Sequence, residues 1–296
     1  MTDRGDILVR AERPTDPTAG TKGVISVVET VVEQCQTQGI ELSGVGVGAA
    51  GFIDSATGSV TFSPNLSYDD PQIAAALESR VGLNAVVDND ANAAAWGEYH
   101  LGSAKGSSEL AFLTLGTGIG SGFIANGQLI RGVRGAGAEF GHTVIDPRGP
   151  QCPCGLRGCL EQFASGTAIE RMAREAVEGR ESSILSFSGS VDAITGEHVA
   201  RAARQLDEVA REVLRLAGTM LGIGLSNVVN IFEPSAIVLG GSVVAAGEPY
   251  LGPARDMLGK MLGAQRRRPV RLDVTSLGRD AGLLGAAMLV LRGDKT

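Results

Sequence analysis

Residues 84–99 read NAVVDNDANAAAWGEY, and residues 110–122 read LAFLTLGTGIGSG. In each stretch a short apolar run ends in a cluster of glycine, asparagine or aspartate. The first run, Ala85–Val87, is a predicted strand that leads into a helix reaching about Tyr99. The second, Leu110–Leu115, is a predicted strand that ends in a glycine-rich turn. Strands that feed helices and tight turns in this way predict an α/β fold.

The rest of the chain follows the same alternation. Further predicted elements are strands at Ile7–Val9, Leu42–Gly48, Ala236–Leu239 and Val270–Val274, a hairpin over Phe123–Ile130, helices beginning at Gly20 and at Asp70-Pro71, one long helix over Val199–Val228, and a terminal helix around Leu283–Leu291. A chain of 296 residues has room for two domains. We predict a small α/β domain over 1–113, a large α/β domain over 114–280, and a terminal helix, 281–296, that packs back on the small domain.

Composition narrows the functional classes. The net charge of −7, from 26 basic and 33 acidic residues, argues against a nucleic-acid-binding surface. The apolar stretch Val213–Ile231 is interrupted by Arg215 and several polar residues, which argues against a membrane span. Residues 1–10 contain no apolar signal-peptide core. We therefore expect a cytoplasmic protein that binds neither nucleic acid nor membrane.

Four potential metal ligands lie close together in the sequence. His142, Cys152, Cys154 and Cys159 form the pattern H-x9-C-x-C-x4-C. Three thiolates and one imidazole suit four-coordinate structural zinc, and Gly155 would let the backbone wrap around the ion. The pattern predicts a zinc site, with unrelated thiols as the alternative. Cys35 belongs instead to a helical apolar stripe and is predicted to be core.

Two further segments allow more than one interpretation. Asp90 follows a predicted strand and precedes a helix, so its carboxylate is either a general base in a cleft or a helix N-cap. Gly116-Thr117-Gly118-Ile119-Gly120 lies between two strands, which excludes the dinucleotide fingerprint that opens a helix. Its amides and the Thr117 hydroxyl form either an anion-binding nest or a glycine-rich hairpin.

The segments LGTGIGSG, AEFGH and CPCGLRGCLE within residues 115–161, together with VVDNDANAAAWGEY, closely resemble the signature of the ROK (repressor, ORF, kinase) family. The resemblance covers nearly the whole chain, and within the family it is greatest to actinobacterial-type glucokinases. It implies an actin-like, ribonuclease-H-like two-domain sugar kinase fold with a structural zinc loop. It also implies ATP-dependent phosphorylation of the glucose 6-hydroxyl, with Mg²⁺ on the nucleotide, by a homodimer or homotetramer.

The resemblance assigns roles residue by residue. Asp90 becomes the catalytic base. The implied sugar ligands are Gly51, Asn65, Asn89, Asp90, Glu139, His142 and Glu161, where His142 uses one ring nitrogen for zinc and the other for sugar. The implied nucleotide-binding residues are Gly116, Thr117, Gly118 and Gly120 of the second phosphate loop, with Gly240 and Gly241. On residue type alone, Glu139 and Glu161 would more often be solvated surface acids.

The resemblance fails at the start of the chain. Family kinases begin with a strand that ends in an Asp-x-Gly-Gly-Thr-Lys turn, and we find none here. Gly20-Thr21-Lys22 is superficially similar, but no strand precedes it and a helix follows. We expect about twenty residues of β-structure to be missing and kinase activity to be poor or absent, since electrostatic stabilisation near the phosphate is lost. A misplaced start codon and a real truncation both explain this.

Other functions stay open at this point. A sugar-responsive ROK repressor shares the zinc and sugar motifs, although no room for a winged helix-turn-helix exists before Ile7. A non-catalytic sugar-binding remnant is the second alternative. A kinase for N-acetylmannosamine or fructose is the third, and polyphosphate could replace ATP as phosphate donor.

Overall fold

The computed structural model describes residues 1–14, 16–63 and 66–293. The chain divides into two compact units. The first consists of Met1–Phe112, Gly122–Ala138 and the segment from Thr275 onward, and the second of Leu113–Ser121 and Glu139–Val274. The predicted three-part division at 113/114 and 280/281 stays a prediction.

The first unit combines short sheets with helices. Its elements are α1 (Gly20–Thr37), β1 (Val45–Ala49), β2 (Phe52–Asp54), β3 (Ser59–Phe62), α2 (Ile73–Val81), β4 (Ala85–Asn89), α3 (Asp90–His100), β7 (Gln128–Leu129) and α10 (Ala281–Arg292). Strand β1 pairs in parallel with β4, from Val45 opposite Ala85 to Ala49 opposite Asn89. Strand β2 pairs antiparallel with β3.

Burial of apolar side chains on one side of β1 and β4 holds this unit together. Ile53, Ile73, Leu77 and Val87 lie at its centre, each at most 1% exposed. On the other side, α3 packs closely against α10. A Cβ atom on Gly285 would overlap the carbonyl oxygen of Ala93, so glycine is what allows the two helix backbones to approach.

The second unit is mainly helical around a sheet. Its elements are α4 (Glu161–Ala164), α5 (Gly166–Ala176), α6 (Ser183–Ser188), α7 (Gly196–Arg204), α8 (Glu208–Phe232), β8 (Ala236–Gly240), α9 (Glu248–Ala264) and β9 (Arg271–Val274). Strands β5 (Leu110–Leu115) and β6 (Ile119–Ala125) contribute residues to both units. The sheet order is β7-β6-β5-β8-β9, with β8 and β9 parallel.

Helix α8 is long and apolar enough, by length and composition, to cross a membrane. It also packs against α9, α5 and α7, and 56% of its most apolar window is buried inside the protein. Those contacts are what a core helix makes, and they account for its apolar surface without a bilayer.

Several predicted elements are wrong in detail. Ile7–Val9 forms no strand among the described residues, because a strand requires a hydrogen-bonded neighbour. Helix α2 begins at Ile73 and not at Asp70-Pro71; Asp70 Oδ1 instead accepts a hydrogen bond from the Gln72 amide, an Asx turn. The long helix predicted over Val199–Val228 is two helices. Asp207 caps the second of them through the Ala210 amide.

The close α3–α10 contact leads to a stability prediction. Replacing Gly285→Ala should lower the free energy of unfolding by about 1–3 kcal/mol, the usual cost of overpacking. The matched control is Gly259→Ala in α9, whose new Cβ would meet no atom within 4 Å. That control should be neutral or stabilising by up to about 1 kcal/mol. Denaturant unfolding measures both, and equal stabilities for the two variants would contradict the packing account.

Candidate functional site

The four predicted metal ligands converge in the second unit. One ring nitrogen of His142 and the sulfurs of the three cysteines all lie within 4.8 Å of one another. Cys152 Sγ lies 3.6 Å from His142 Nδ1, and Cys154 Sγ lies 3.6 Å from Cys159 Sγ. Zinc bonds of about 2.0–2.3 Å in a tetrahedron place ligand atoms about 3.5–3.8 Å apart. The residues present therefore fit structural zinc.

The segment around this cluster contains little regular structure. A short 3-10 helix, Phe140–His142, presents the histidine, and isolated bridges join Val144 to Cys159 and Gln151 to Arg157. Gly158 has φ +73°, and a Cβ there would overlap the carbonyl oxygen of Asp146. Turn-type backbone hydrogen bonds, such as that from the Cys152 amide to the Leu156 carbonyl, hold the loop, and a shared ion would add to its order.

The pKa values of the thiols bear on whether the cluster binds a cation. Burial, together with the neighbouring thiols, raises the pKa of Cys159 to about 12. Burial also raises the pKa of the Cys152 thiol. A cation that binds these two sulfurs would therefore have to displace their protons. The Nε2 atom of His142 is left for another partner, since Nδ1 faces the sulfurs.

In the first unit, strand β4 passes directly into helix α3. Asn89 is the N-cap: its Oδ1 accepts hydrogen bonds from the Ala91 amide at 2.9 Å and the Asn92 amide at 3.1 Å. Its Nδ2 donates to the Gly51 carbonyl at 3.0 Å. The N-cap of α3 is therefore Asn89, and the alternative interpretation of Asp90 as the N-cap is wrong. This contact brings the predicted sugar ligands Gly51 and Asn89 together.

Asp90 is the first residue of α3. Its Oδ1 accepts a hydrogen bond from the Ala91 amide at 2.9 Å, and among the described residues its Oδ2 accepts none. The side chain keeps an exposed surface, yet the protein atoms packed around the carboxylate remove enough water to raise its pKa. Burial and, to a smaller extent, the charge of Asp90 raise the pKa of Tyr68. An accessible carboxylate with a raised pKa is suited to accept a proton.

The glycine-rich turn of the second unit is tied to the end of the cysteine loop. Glu161 Oε2 accepts a hydrogen bond from the Ile119 amide at 2.8 Å. A Cβ on Gly118 would overlap that same oxygen. On the other side, the Gly166 amide donates to the Gly116 carbonyl at 2.7 Å, and the Thr167 hydroxyl donates to the Thr117 carbonyl at 2.9 Å. The turn is held from two directions, and Thr117 is exposed.

The second glycine pair lies beside this turn. Gly241 follows β8 with φ +86°, and its position leaves no room for a Cβ next to the backbone of Leu115, the residue that precedes Gly116. At the N-terminus of α5, the Gly166 amide donates to the Gly116 carbonyl, and a Cβ added to Gly166 would lie 3.5 Å from the Val243 side chain, which follows the Gly240-Gly241 pair. The structure thus brings both predicted nucleotide-binding segments together within one unit.

The predicted sugar ligands are divided between the units. Gly51, Asn89 and Asp90 belong to the first, whereas Glu139, His142 and Glu161 belong to the second. Glu139 is exposed and directly precedes the 3-10 helix that carries His142. Asn65 lies outside the described residues.

Sequence reasoning missed the groups that support the Asn89–Asp90 corner. Asp88 is 2% exposed and accepts hydrogen bonds from the Asn89 amide at 2.7 Å and the Asn92 side chain at 3.0 Å. Arg131, 43 positions away, pairs with the same carboxylate at 2.7 Å. The sequence shows Asp88 as a polar residue at the end of an apolar run, but no residue near it in the sequence indicates that Arg131 is its partner.

These features define a class of α/β proteins in which a cluster of one imidazole and three cysteine sulfurs is followed by a glutamate that binds the glycine-rich turn between two strands. The chain belongs to the ROK family, whose family model matches residues 1–293. It is 39% identical to a glucokinase of Streptomyces coelicolor over 99% of this chain and 93% of that protein. It is also similar to the crystal structure of a ROK family glucokinase from Streptomyces griseus in complex with glucose and AMPPNP. The TM-score is 0.85 at 39% identity, over 99% of this chain and 94% of that one. The predicted actin-like sugar kinase fold is confirmed.

The family also contains regulators. A putative xylose repressor of a Caldicellulosiruptor species is 33% identical over 84% of this chain, which corresponds to 62% of the repressor. Similarity to this relative therefore concerns a part of a longer protein.

The cysteine cluster yields a metal prediction. The purified protein should contain one zinc per chain by elemental analysis, and Cys154→Ser should lose it, because three ligands hold structural zinc poorly. Cys154 is exposed, so its replacement leaves the core intact. Cys35→Ser, which alters the buried cysteine outside the cluster, should keep full zinc content. Zinc retained by Cys154→Ser would contradict the assignment.

Proposed function

We propose that this protein is a glucokinase, which transfers the γ-phosphoryl group of Mg²⁺-bound ATP to the 6-hydroxyl of glucose. The observation that carries the proposal is the near full-length similarity to a glucokinase structure that contains glucose and a nucleotide. The residues described above supply the chemical groups that such a transfer requires: an accessible carboxylate, polar groups for a polyol, and a glycine-rich turn.

In this mechanism Asp90 accepts the proton of the 6-hydroxyl. The hydroxyl oxygen then bonds to the γ-phosphorus, and the bond from phosphorus to the bridging oxygen breaks, with its electron pair leaving on ADP. Two observations support this role: no donor among the described residues occupies Asp90 Oδ2, and burial raises the pKa of Asp90. A carboxylate whose pKa is raised by burial is a stronger base than an ordinary surface aspartate.

We propose that the sugar is held by Gly51, Asn65, Asn89, Asp90, Glu139, His142 and Glu161. Carboxylates and amides suit a polyol, because each accepts or donates to several hydroxyls. One oxygen of Glu161 is already committed to the Ile119 amide, so the other is the one offered to sugar. His142 presents Nε2 while Nδ1 faces the metal cluster.

We propose that the nucleotide phosphates bind the turn formed by Gly116, Thr117, Gly118 and Gly120, with Gly240 and Gly241 towards the adenosine. The exposed Thr117 hydroxyl and the α5 N-terminus beside Gly116 support this, since both attract phosphate oxygens. Zinc, held by His142 and the three cysteines, would order the loop and leave the chemistry to the side chains. Mg²⁺ would be carried by the phosphates.

The proposal extends to the setting of the enzyme. Dependence on ATP and on reduced zinc-binding thiols supports a cytoplasmic location. We also propose the predicted domain division, 1–113, 114–280 and 281–296, which places the nucleotide-binding elements in 114–280 and divides the sugar ligands between 1–113 and 114–280. A homodimer or homotetramer completes the proposal, and size-exclusion chromatography with light scattering measures it.

A regulator is the second candidate, favoured by the similarity to xylose repressors. Glucose turnover separates the two functions. With glucose and Mg-ATP, formation of ADP in proportion to glucose 6-phosphate supports the kinase. Thermal stabilisation by glucose without turnover supports a regulator or a non-catalytic sugar-binding protein. Competition with N-acetylmannosamine and fructose then tests which sugar is the acceptor, and competition with polyphosphate tests the phosphate donor.

Replacing the proposed base provides a direct test. Asp90→Asn should lower kcat by about 10²–10⁴-fold, the usual contribution of a general base, with glucose binding retained. Asp256→Asn, an exposed aspartate on α9, is the matched control and should leave kcat unchanged. Coupled spectrophotometric assays give kcat, and calorimetry gives glucose affinity. An Asp90→Asn enzyme with normal kcat would exclude the role.

The raised pKa of Asp90 sets the pH dependence. The base works only when ionised, so kcat/KM should fall as pH decreases through the folded-state pKa. Because burial raises that pKa, the acidic limb should lie above the ordinary aspartate value of about 4. A profile of kcat/KM from pH 4 upward, over the pH range in which the enzyme stays folded, tests this. A limb at or below the ordinary value would contradict the burial effect.

A further inference from the structure

A buried ion pair lies directly beneath the corner that carries Asn89 and Asp90. The Asp88 side chain is 2% exposed and the Arg131 side chain 11% exposed. Both Nε and Nη2 of Arg131 contact Asp88 Oδ2 at 2.7 Å. A guanidinium that donates two hydrogen bonds to a buried carboxylate fixes the position of that group far more firmly than a surface pair does.

The other oxygen of Asp88 acts on the corner itself. Asp88 Oδ1 accepts from the main-chain amide of Asn89 at 2.7 Å and from the Asn92 side chain at 3.0 Å. Asn89 in turn caps α3 and donates to the Gly51 carbonyl. A chain of hydrogen bonds therefore leads from the guanidinium of Arg131 to the residue before Asp90 and to the first turn of its helix.

Arg131 is itself anchored from the other direction. It begins the 131–138 loop, which closes on itself when the Gly137 amide donates to the Arg131 carbonyl at 2.8 Å. The loop packs tightly on β2: a Cβ on Gly135 would overlap the carbonyl oxygen of Ile53. Glu139 follows this loop immediately in the chain.

Stability alone does not account for this arrangement. Two charges removed from water recover their desolvation penalty only with good geometry, and apolar replacements of buried ion pairs are often neutral. What an ion pair supplies that apolar side chains do not is a fixed direction for its hydrogen bonds. Here those bonds end on the main-chain amide of Asn89, a proposed sugar ligand, and on the Asn92 side chain in the first turn of the helix that Asp90 begins.

We propose that Arg131 is a positioning residue of the active site, which acts through Asp88 to fix Asn89 and Asp90. The inference rests on the proposed function for the roles of Asn89 and Asp90, but the geometry it describes is independent of catalysis. Loss of the guanidinium should leave the Asp88 carboxylate free to rotate and so loosen the amides it holds.

The test compares Arg131→Met with Arg134→Met, which alters an exposed arginine in the same loop. Hydrogen exchange by NMR should show the Asn89 and Asn92 amides exchanging about tenfold or more faster in Arg131→Met only. Glucose affinity by calorimetry should weaken about tenfold or more in the same variant, because a small displacement of ligands is costly. Arg131→Lys should restore part of both, since one ammonium still reaches Oδ2.

Further variants keep the outcome decisive. If Arg131→Met does not fold, as judged by zinc content and melting temperature, the charge-neutral Asp88→Asn/Arg131→Met pair replaces it and should also show fast exchange. Exchange rates equal to those of Arg134→Met would overturn the inference. Fast exchange with unchanged glucose affinity would overturn it too, because a structural role explains that result. A chain that binds no glucose before substitution contradicts the proposed function instead; in that case fast exchange confined to Arg131→Met supports the fixing of the Asn89–Asp90 corner, and unchanged exchange overturns it.

Discussion

The Asp88 carboxylate is the group on which the order of the candidate catalytic corner depends. It is removed from water at the end of β4, and its two oxygens accept four hydrogen bonds from Asn89, Asn92 and Arg131. A buried carboxylate without such partners would cost several kcal/mol. The backbone around it is therefore confined to the conformations that satisfy it. Asp90 lies two positions after Asp88, so its backbone is confined as well, while its own carboxylate stays accessible.

A second, independent constraint acts in the other unit. Between Phe140 and Glu161 the chain has little regular secondary structure, and turn-type hydrogen bonds together with the convergence of one imidazole and three sulfurs give it order. That convergence also sets the position of Glu161, two residues after Cys159, and through Glu161 the position of the Ile119 amide. Cation binding and the shape of the glycine-rich turn are thus physically linked, although zinc itself supplies no step of the proposed reaction.

Local signals in the sequence predict much of this fold. The strand Leu110–Leu115, the Asn126-Gly127 hairpin and the terminal helix follow from apolar runs and turn residues, which act over a few positions. The four metal ligands are equally readable, because their spacing is local. Our predictions contain no helix over Gly166–Ala176, although Ile169, Met172 and Ala173 recur there at helical spacing, a signal present in the sequence.

Long-range contacts account for what the sequence does not reveal. Whether Asn89 or Asp90 caps α3 depends on which side chain can also reach Gly51, a contact that spans 38 positions. The break between α7 and α8 depends on Asp207, whose carboxylate also binds Ser182 and Ser183. Arg131, the partner of Asp88, follows the β6–β7 hairpin, and only the folded chain brings it to the end of β4. In each case a tertiary hydrogen bond chooses between local conformations that the sequence allows equally.

The central claim is that an ordered corner presents the Asp90 carboxylate to one hydroxyl of a bound hexose. A crystal structure of the protein with glucose, recorded across the zinc absorption edge, tests it most directly. The account predicts an anomalous peak enclosed by His142 and the three cysteines, and the 6-hydroxyl of glucose about 2.6–3.2 Å from an Asp90 oxygen. Glucose bound elsewhere, or with a different hydroxyl against Asp90, would contradict it.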